Sequence, residues 1–130
     1  MKTELLSLVW VTILTAVMWI PYVLDRVAVR GLKDTVGYPF EPKPQSPWAR
    51  RMKAAHDNAV ENLVVFASLV LVANVLGISN GTPVIAASLY FWARFVHFLA
   101  YTFALPWIRT LAFVAGVSAQ ALFVWVIVVL

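Results

Sequence analysis

Leu5 to Leu24 reads LLSLVWVTILTAVMWIPYVL, twenty residues without one charged side chain. At 1.5 Å of rise per residue, a helix of that length spans about 30 Å, the thickness of a bilayer's hydrocarbon core. The run exceeds the roughly 7–15 residues of a secretory signal core, and no small-residue cleavage motif follows it. The stretch is therefore expected to be a first transmembrane helix, from about Glu4 to Arg30. Pro21 should kink it, because proline offers no helical N–H and its ring crowds the preceding turn.

Three more segments of the same kind follow. Gly31 to Ser46 reads as a loop, broken by Gly31, Gly37, Pro39, Pro42 and Pro44. Ser46 and Pro47 form an N-cap and first-turn pair, opening a helix over about residues 47–76. Its first half is polar, and it turns apolar from Leu63. The uncharged stretch Gly77 to Gly81 is a tight turn. Thr82 and Pro83 repeat the cap-and-proline pattern and open a helix over residues 83–105. Pro106 closes that helix, and a last one runs over residues 107–130, with 21 uncharged residues from Thr110 onward. The pattern predicts one all-α domain over residues 1–130, an integral membrane four-helix bundle.

Composition agrees. The chain is 62% hydrophobic and 12% charged, with a mean hydropathy of +0.85, whereas soluble domains are about 45–50% apolar and about 25% charged. There is no cysteine, which excludes disulfides, a protein thiolate nucleophile and cysteine-based zinc sites. With His56 and His97 as the only histidines, no metal site is expected. The net charge of +4 does not point to nucleic acid. Seven of the ten basic residues lie between Arg26 and Lys53, around the first loop. The positive-inside rule places that loop in the cytoplasm, and an even number of spans puts both termini on the opposite side.

The charges within the spans carry the functional signal, because an ionisable group in hydrocarbon is costly unless it faces protein or water. On the second helix Arg51, Asn58 and Asn62 share a face, with Glu61 on its shoulder. Charges such as Arg50, Arg51, Lys53 and Asp57 also suit a solvated helix end; Glu61 and Asn62, bordering the apolar run, do not. On the third helix Tyr90, Arg94, His97 and Tyr101 recur along one narrow face. Arg94 lies mid-span and is expected to pair with Glu61 of the neighbouring antiparallel helix. Such a pair can serve only to fix helix register, or it can accept an anionic ligand as well. Arg109 sits at the membrane boundary as an anchor or as an anion ligand at the cytoplasmic mouth. One subunit is too thin to enclose Arg94 and Glu61 fully, so a homo-oligomer is expected.

Ala55, His56, Asn58, Glu61 and Asn62, as A-H-x-N-x-x-E-N, together with Arg94, His97 and Tyr101, as R-x-x-H-x-x-x-Y, make the chain resemble the MAPEG family over its whole length. These are membrane-associated proteins in eicosanoid and glutathione metabolism. The resemblance implies a homotrimer with glutathione sites between adjacent subunits, open to the cytoplasm. It implies that Asn58 and Glu61 bind glutathione, the co-substrate, and that Arg94 and Tyr101 contact it or organise its pocket. Arg51 and His97 fall in the same cofactor-binding set. Arg109 resembles the arginine that stabilises the glutathione thiolate and is the catalytic candidate. A nearby cation favours the charged, attacking form of a thiol. The chain departs from the pattern at Ala54, where many catalytic members carry an arginine; Arg51 or Lys53 stands near enough to compensate. The expected activity is a glutathione-dependent transferase or peroxidase acting on a lipophilic small-molecule substrate delivered by membrane lipid. The competing reading is a non-catalytic lipid-binding or partner-presenting protein of the same fold.

Overall fold

The computed structural model describes residues 1–129, and every regular element within them is a helix. Helix α1 spans Thr3–Val17, α2 Trp19–Val36, α3 Pro47–Val75, α4 Gly81–Thr102 and α5 Pro106–Val129. The last position assigned to the final helix from sequence, Leu130, lies outside the described residues. Helices α1 and α2 together make one span, and four helical segments are long and apolar enough to cross a membrane. The interruption between α1 and α2 falls at Met18, one turn before Pro21, whose missing N–H would have bonded the Val17 carbonyl.

Several boundaries differ from the sequence reading. Residues 31–36, expected in the loop, continue as helix beyond a break at Gly31, where φ is +77°. Helix α4 starts at Gly81, and its cap is Asn80, whose side chain accepts from the Thr82 N–H at 3.1 Å. The expected Thr82 cap is thereby displaced: Asn80, two residues earlier, takes the cap position, and Thr82 supplies the N–H it bonds. Ser46 is the N-cap of α3 but makes no side-chain cap bond. Its hydroxyl donates instead to the Asp25 carboxylate of α2, which also accepts from the Ser46 N–H at 3.1 Å.

Helix α4 ends at Thr102, three residues before the expected Leu105, in a turn closed by backbone bonds. The Leu105 N–H donates to Ala100 O at 2.8 Å and the Ala104 N–H to Tyr101 O at 3.3 Å. Ala104 sits at φ +58°, the one described non-glycine residue with a left-handed backbone. Helix α3 ends in the same way, with Ile78 N–H to Ala73 O at 2.9 Å and Gly77 N–H to Asn74 O at 3.1 Å. There the left-handed position is glycine, Gly77, at φ +72°. Both are Schellman closures, which satisfy carbonyls that a helix end would otherwise leave unpaired.

The helices pack through small residues. Ala55, Ala59, Ala86, Ala87, Ala93, Ala100, Ala112, Gly116 and Ala119 are all buried, which lets helix backbones approach where no water drives association. The largest core cluster gathers Val11, Phe66, Val70, Tyr90 and Phe123. Within it the Phe66 and Tyr90 rings stack with centroids 3.8 Å apart, and Phe123 meets Phe66 edge-on at 5.8 Å. This cluster fills the half of the bundle ending at Gly77. The other half holds two smaller clusters, around Met18, Ala55 and Ala59 and around Tyr22, Ala49 and Met52.

Candidate functional site

The half with the smaller clusters carries the polar chemistry. Its frame is a hydrogen-bonded knot between α2 and the start of α3. Asp25 accepts from Ser46 and, at 3.2 Å, from Gln45 Nε2, which also donates to Tyr22 O at 2.7 Å. Arg26 Nε donates to Gln45 Oε1 at 3.2 Å. One turn nearer the membrane centre, the Tyr22 hydroxyl meets His56 Nδ1 at 2.7 Å. Together these bonds fix where α3 begins, and so where its Arg51 emerges.

Arg51 crosses to α4, where its Nε donates to the Thr102 carbonyl at 3.0 Å. That carbonyl belongs to the last turn of α4, where acceptors lack intrahelical donors and the helix dipole is negative. Across the short α4–α5 link, the Arg109 guanidinium lies over the Tyr101 ring, 5.1 Å from its centroid, a cation–π geometry. Arg51, Tyr101 and Arg109 line one cleft of about 240 Å³ with Ala100, Ala104, Leu105 and Pro106. A second cleft, about 310 Å³, lies between Pro47, Arg50, Arg51, Ala54 and Tyr101. An apolar recess formed by Leu105, Pro106, Trp107 and Ile108 adjoins the first cleft through Leu105 and Pro106.

Behind Tyr101 lies a buried polar chain. Arg94 is 4% exposed, and its Nη2 donates to Asn58 Oδ1 at 2.7 Å and approaches His97 Nδ1 at 3.3 Å. His97, also buried, meets the Tyr101 ring edge-on at 5.6 Å. Asn62 Nδ2 donates to the Asn58 carbonyl at 2.9 Å, and Gln120 of α5 donates to the Asn62 carbonyl at 3.3 Å.

The expected Arg94–Glu61 ion pair is not formed, which corrects the sequence reading. Arg94 takes the amide of Asn58 instead, and Glu61 is exposed. Asn58 and Glu61 are nearly one turn apart on α3, and the packed helix turns Asn58, not Glu61, toward α4. Among the described residues the one ion pair is Lys53–Asp57, at 3.0 Å on the exposed side of α3. Lys53 is therefore already engaged.

Of the site residues expected from sequence, the structure brings Arg51, Tyr101 and Arg109 to one cleft. It joins Asn58, Arg94 and His97 in the chain behind that cleft, and it leaves Glu61 apart on the outer face of α3. Sequence reasoning missed the Thr102 carbonyl, the Asp25–Gln45–Ser46 knot and Gln120. Gln120 did carry a signal, as the largest polar side chain in the 21-residue uncharged run. The backbone acceptor at Thr102 carried none.

A sequence model described as the MAPEG family matches residues 7–129. No curated protein compared with the chain matches it.

Proposed function

The chain belongs to the MAPEG family, a family of four-helix membrane bundles that includes glutathione-dependent transferases, and on that premise we propose that it is a membrane-bound glutathione-dependent transferase or peroxidase acting on lipophilic electrophiles or lipid hydroperoxides. The observation that carries this reading is the convergence of Arg51, Tyr101 and Arg109 on one cleft.

The donor set fits glutathione. That molecule brings two carboxylates, a thiol and one ammonium group, so it needs cations, hydrogen bonds and one acid. Arg50, Arg51 and Arg109 line the two clefts, and Glu61 is an exposed acid on α3 outside the Lys53–Asp57 pair. Arg109 is the catalytic residue in this reading. Its guanidinium, held by the Tyr101 ring, favours the thiolate over the thiol, and thiolate is the attacking species. In conjugation, a carbon–sulfur bond forms to the electrophile while the bond to its leaving group breaks, and the thiol proton passes to water. Arg94 and His97 support Asn58 and Tyr101 from behind rather than lining the cleft.

Glu61 motivates the quaternary part of the proposal. It is exposed beside exposed Val60, Val64 and Val65 on a membrane-spanning helix, and a carboxylate facing lipid costs about 3 kcal/mol or more. A neighbouring subunit covering this face removes that cost, in a homotrimer with glutathione bound between subunits. The basic residues around the first loop support a cytoplasmic opening of the clefts, with the termini on the opposite side.

Purified protein in lipid nanodiscs should conjugate glutathione to a generic aryl halide. Binding without turnover would favour the non-catalytic alternative, and neither binding nor turnover would overturn the proposal.

A further inference from the structure

The two clefts share a wall, since Arg51 and Tyr101 line both. They differ in what their cations are doing. On the Arg109 side, Arg51 is engaged with the Thr102 carbonyl and Arg109 with the Tyr101 ring. On the other side Arg50 is exposed, and its guanidinium makes no hydrogen bond or ion pair among the described residues. Ala54 lies one helical turn after Arg50 on the same stripe of α3, and its methyl group leaves the space above it open. No acidic side chain lines this cleft. Lys53 cannot supply its charge, because it turns away to Asp57.

A cleft with a free guanidinium, no acid and a neutral floor is suited to a carboxylate, which arginine can hold through two parallel N–H donors. Because the clefts meet at Arg51 and Tyr101, one extended ligand can place an anionic group in each. Resting on the glutathione reading above, we propose that Arg50 is a substrate-binding residue. It takes one carboxylate of glutathione in the Ala54 cleft while the thiolate lies across Tyr101, beside Arg109. Arg50 thus brings a cation to the cleft beside Ala54 from the preceding turn of α3.

The test measures glutathione binding by equilibrium dialysis of the full-length protein in nanodiscs. Arg50→Ala should raise Kd about tenfold, by a smaller factor at high salt because the contact is partly exposed to solvent. Arg50→Gln, which keeps most of the stem, should behave alike. Lys53→Ala should leave Kd unchanged. Glutathione amidated at one or the other carboxylate identifies the partner group: for one of the two analogues, Arg50→Ala should have no further effect. Adding Ala54→Arg to Arg50→Ala should restore affinity. Unchanged affinity in Arg50→Ala and Arg50→Gln, or equal weakening for both analogues and the parent, would overturn the role of Arg50 while leaving the glutathione reading intact. Failure of the unsubstituted protein to bind glutathione would overturn both.

Discussion

Phe66 and Tyr90 stack in the half of the bundle that ends at Gly77, whereas Asp25, Gln45 and Ser46 form a hydrogen-bonded knot in the half that ends at Ala104. The first half is held by close packing of aromatic rings and alanines. In the second, directional bonds stand in for bulk, leaving open volume beside arginine side chains. The two helix ends repeat the contrast. Both close with the same pair of backbone bonds, but the far end relaxes the left-handed position with glycine and the near end forces alanine into it. A left-handed backbone costs a non-glycine residue about 1–2 kcal/mol. Strain retained beside a cleft, and absent from an equivalent turn elsewhere, is the pattern expected where geometry serves a ligand rather than the fold.

The largest effect is expected in the packed half. Phe66→Ala should cost about 3–5 kcal/mol, through lost transfer energy and the cavity left between Tyr90 and Phe123. Denaturant titration followed by circular dichroism measures it, and a cost below about 1 kcal/mol would show that this half is not the more tightly packed one. Arg109→Ala should leave that titration unchanged and lower turnover on the order of 100-fold, as loss of a charge-stabilising group does elsewhere. Removing the cation raises the pKa of bound thiol, so the deficit should be greatest near neutral pH and shrink as pH rises. The ultraviolet absorbance of the thiolate reports the shift, and an unmoved titration with full turnover would return Arg109 to a membrane anchor.

Asp25→Asn tests the knot. It removes the charge that three donors share, and should cost about 1.5–3 kcal/mol while weakening glutathione binding through a displaced Arg51. Equal binding in the destabilised protein would separate the knot from the site. The smallest effects come from exchanging the two turns. Gly77→Ala should destabilise by about 1 kcal/mol, and Ala104→Gly should stabilise by up to about 1 kcal/mol. If the strain at Ala104 positions Tyr101 and Arg109, the second substitution should also lower turnover a few-fold. Greater stability with undiminished turnover would make Ala104 an ordinary imperfection.

Which segments cross the membrane was legible because hydrophobic run length is a local property, read directly from Leu5–Leu24 and the stretch after Thr110. The break near Pro21 was legible for the same reason. The partner of Arg94 was not. Asn58 and Glu61 project from α3 about 60° apart, and a modest rotation of the packed helix decides between them. That rotation follows from how alanines such as Ala55 and Ala59 seat against their neighbours, which a one-dimensional pattern does not encode. The caps were legible only in part: Ser46 holds the N-cap position expected of it, while Asn80 takes the place expected of Thr82. Ser46 looks like a cap from its neighbours in sequence, but Asp25, distant along the chain, claims its hydroxyl. Arg51 was singled out from its face on the helix, yet its acceptor is a backbone carbonyl that exists only because α4 ends at Thr102.

The apolar recess of Leu105, Pro106, Trp107 and Ile108 opens beside the Arg109 cleft, and it changes what concentration means for this protein. A lipophilic co-substrate entering there would be met in two dimensions, as a mole fraction among lipids. Diluting a fixed amount of that co-substrate with more bilayer would then starve the site, even though the amount per volume of buffer never changed.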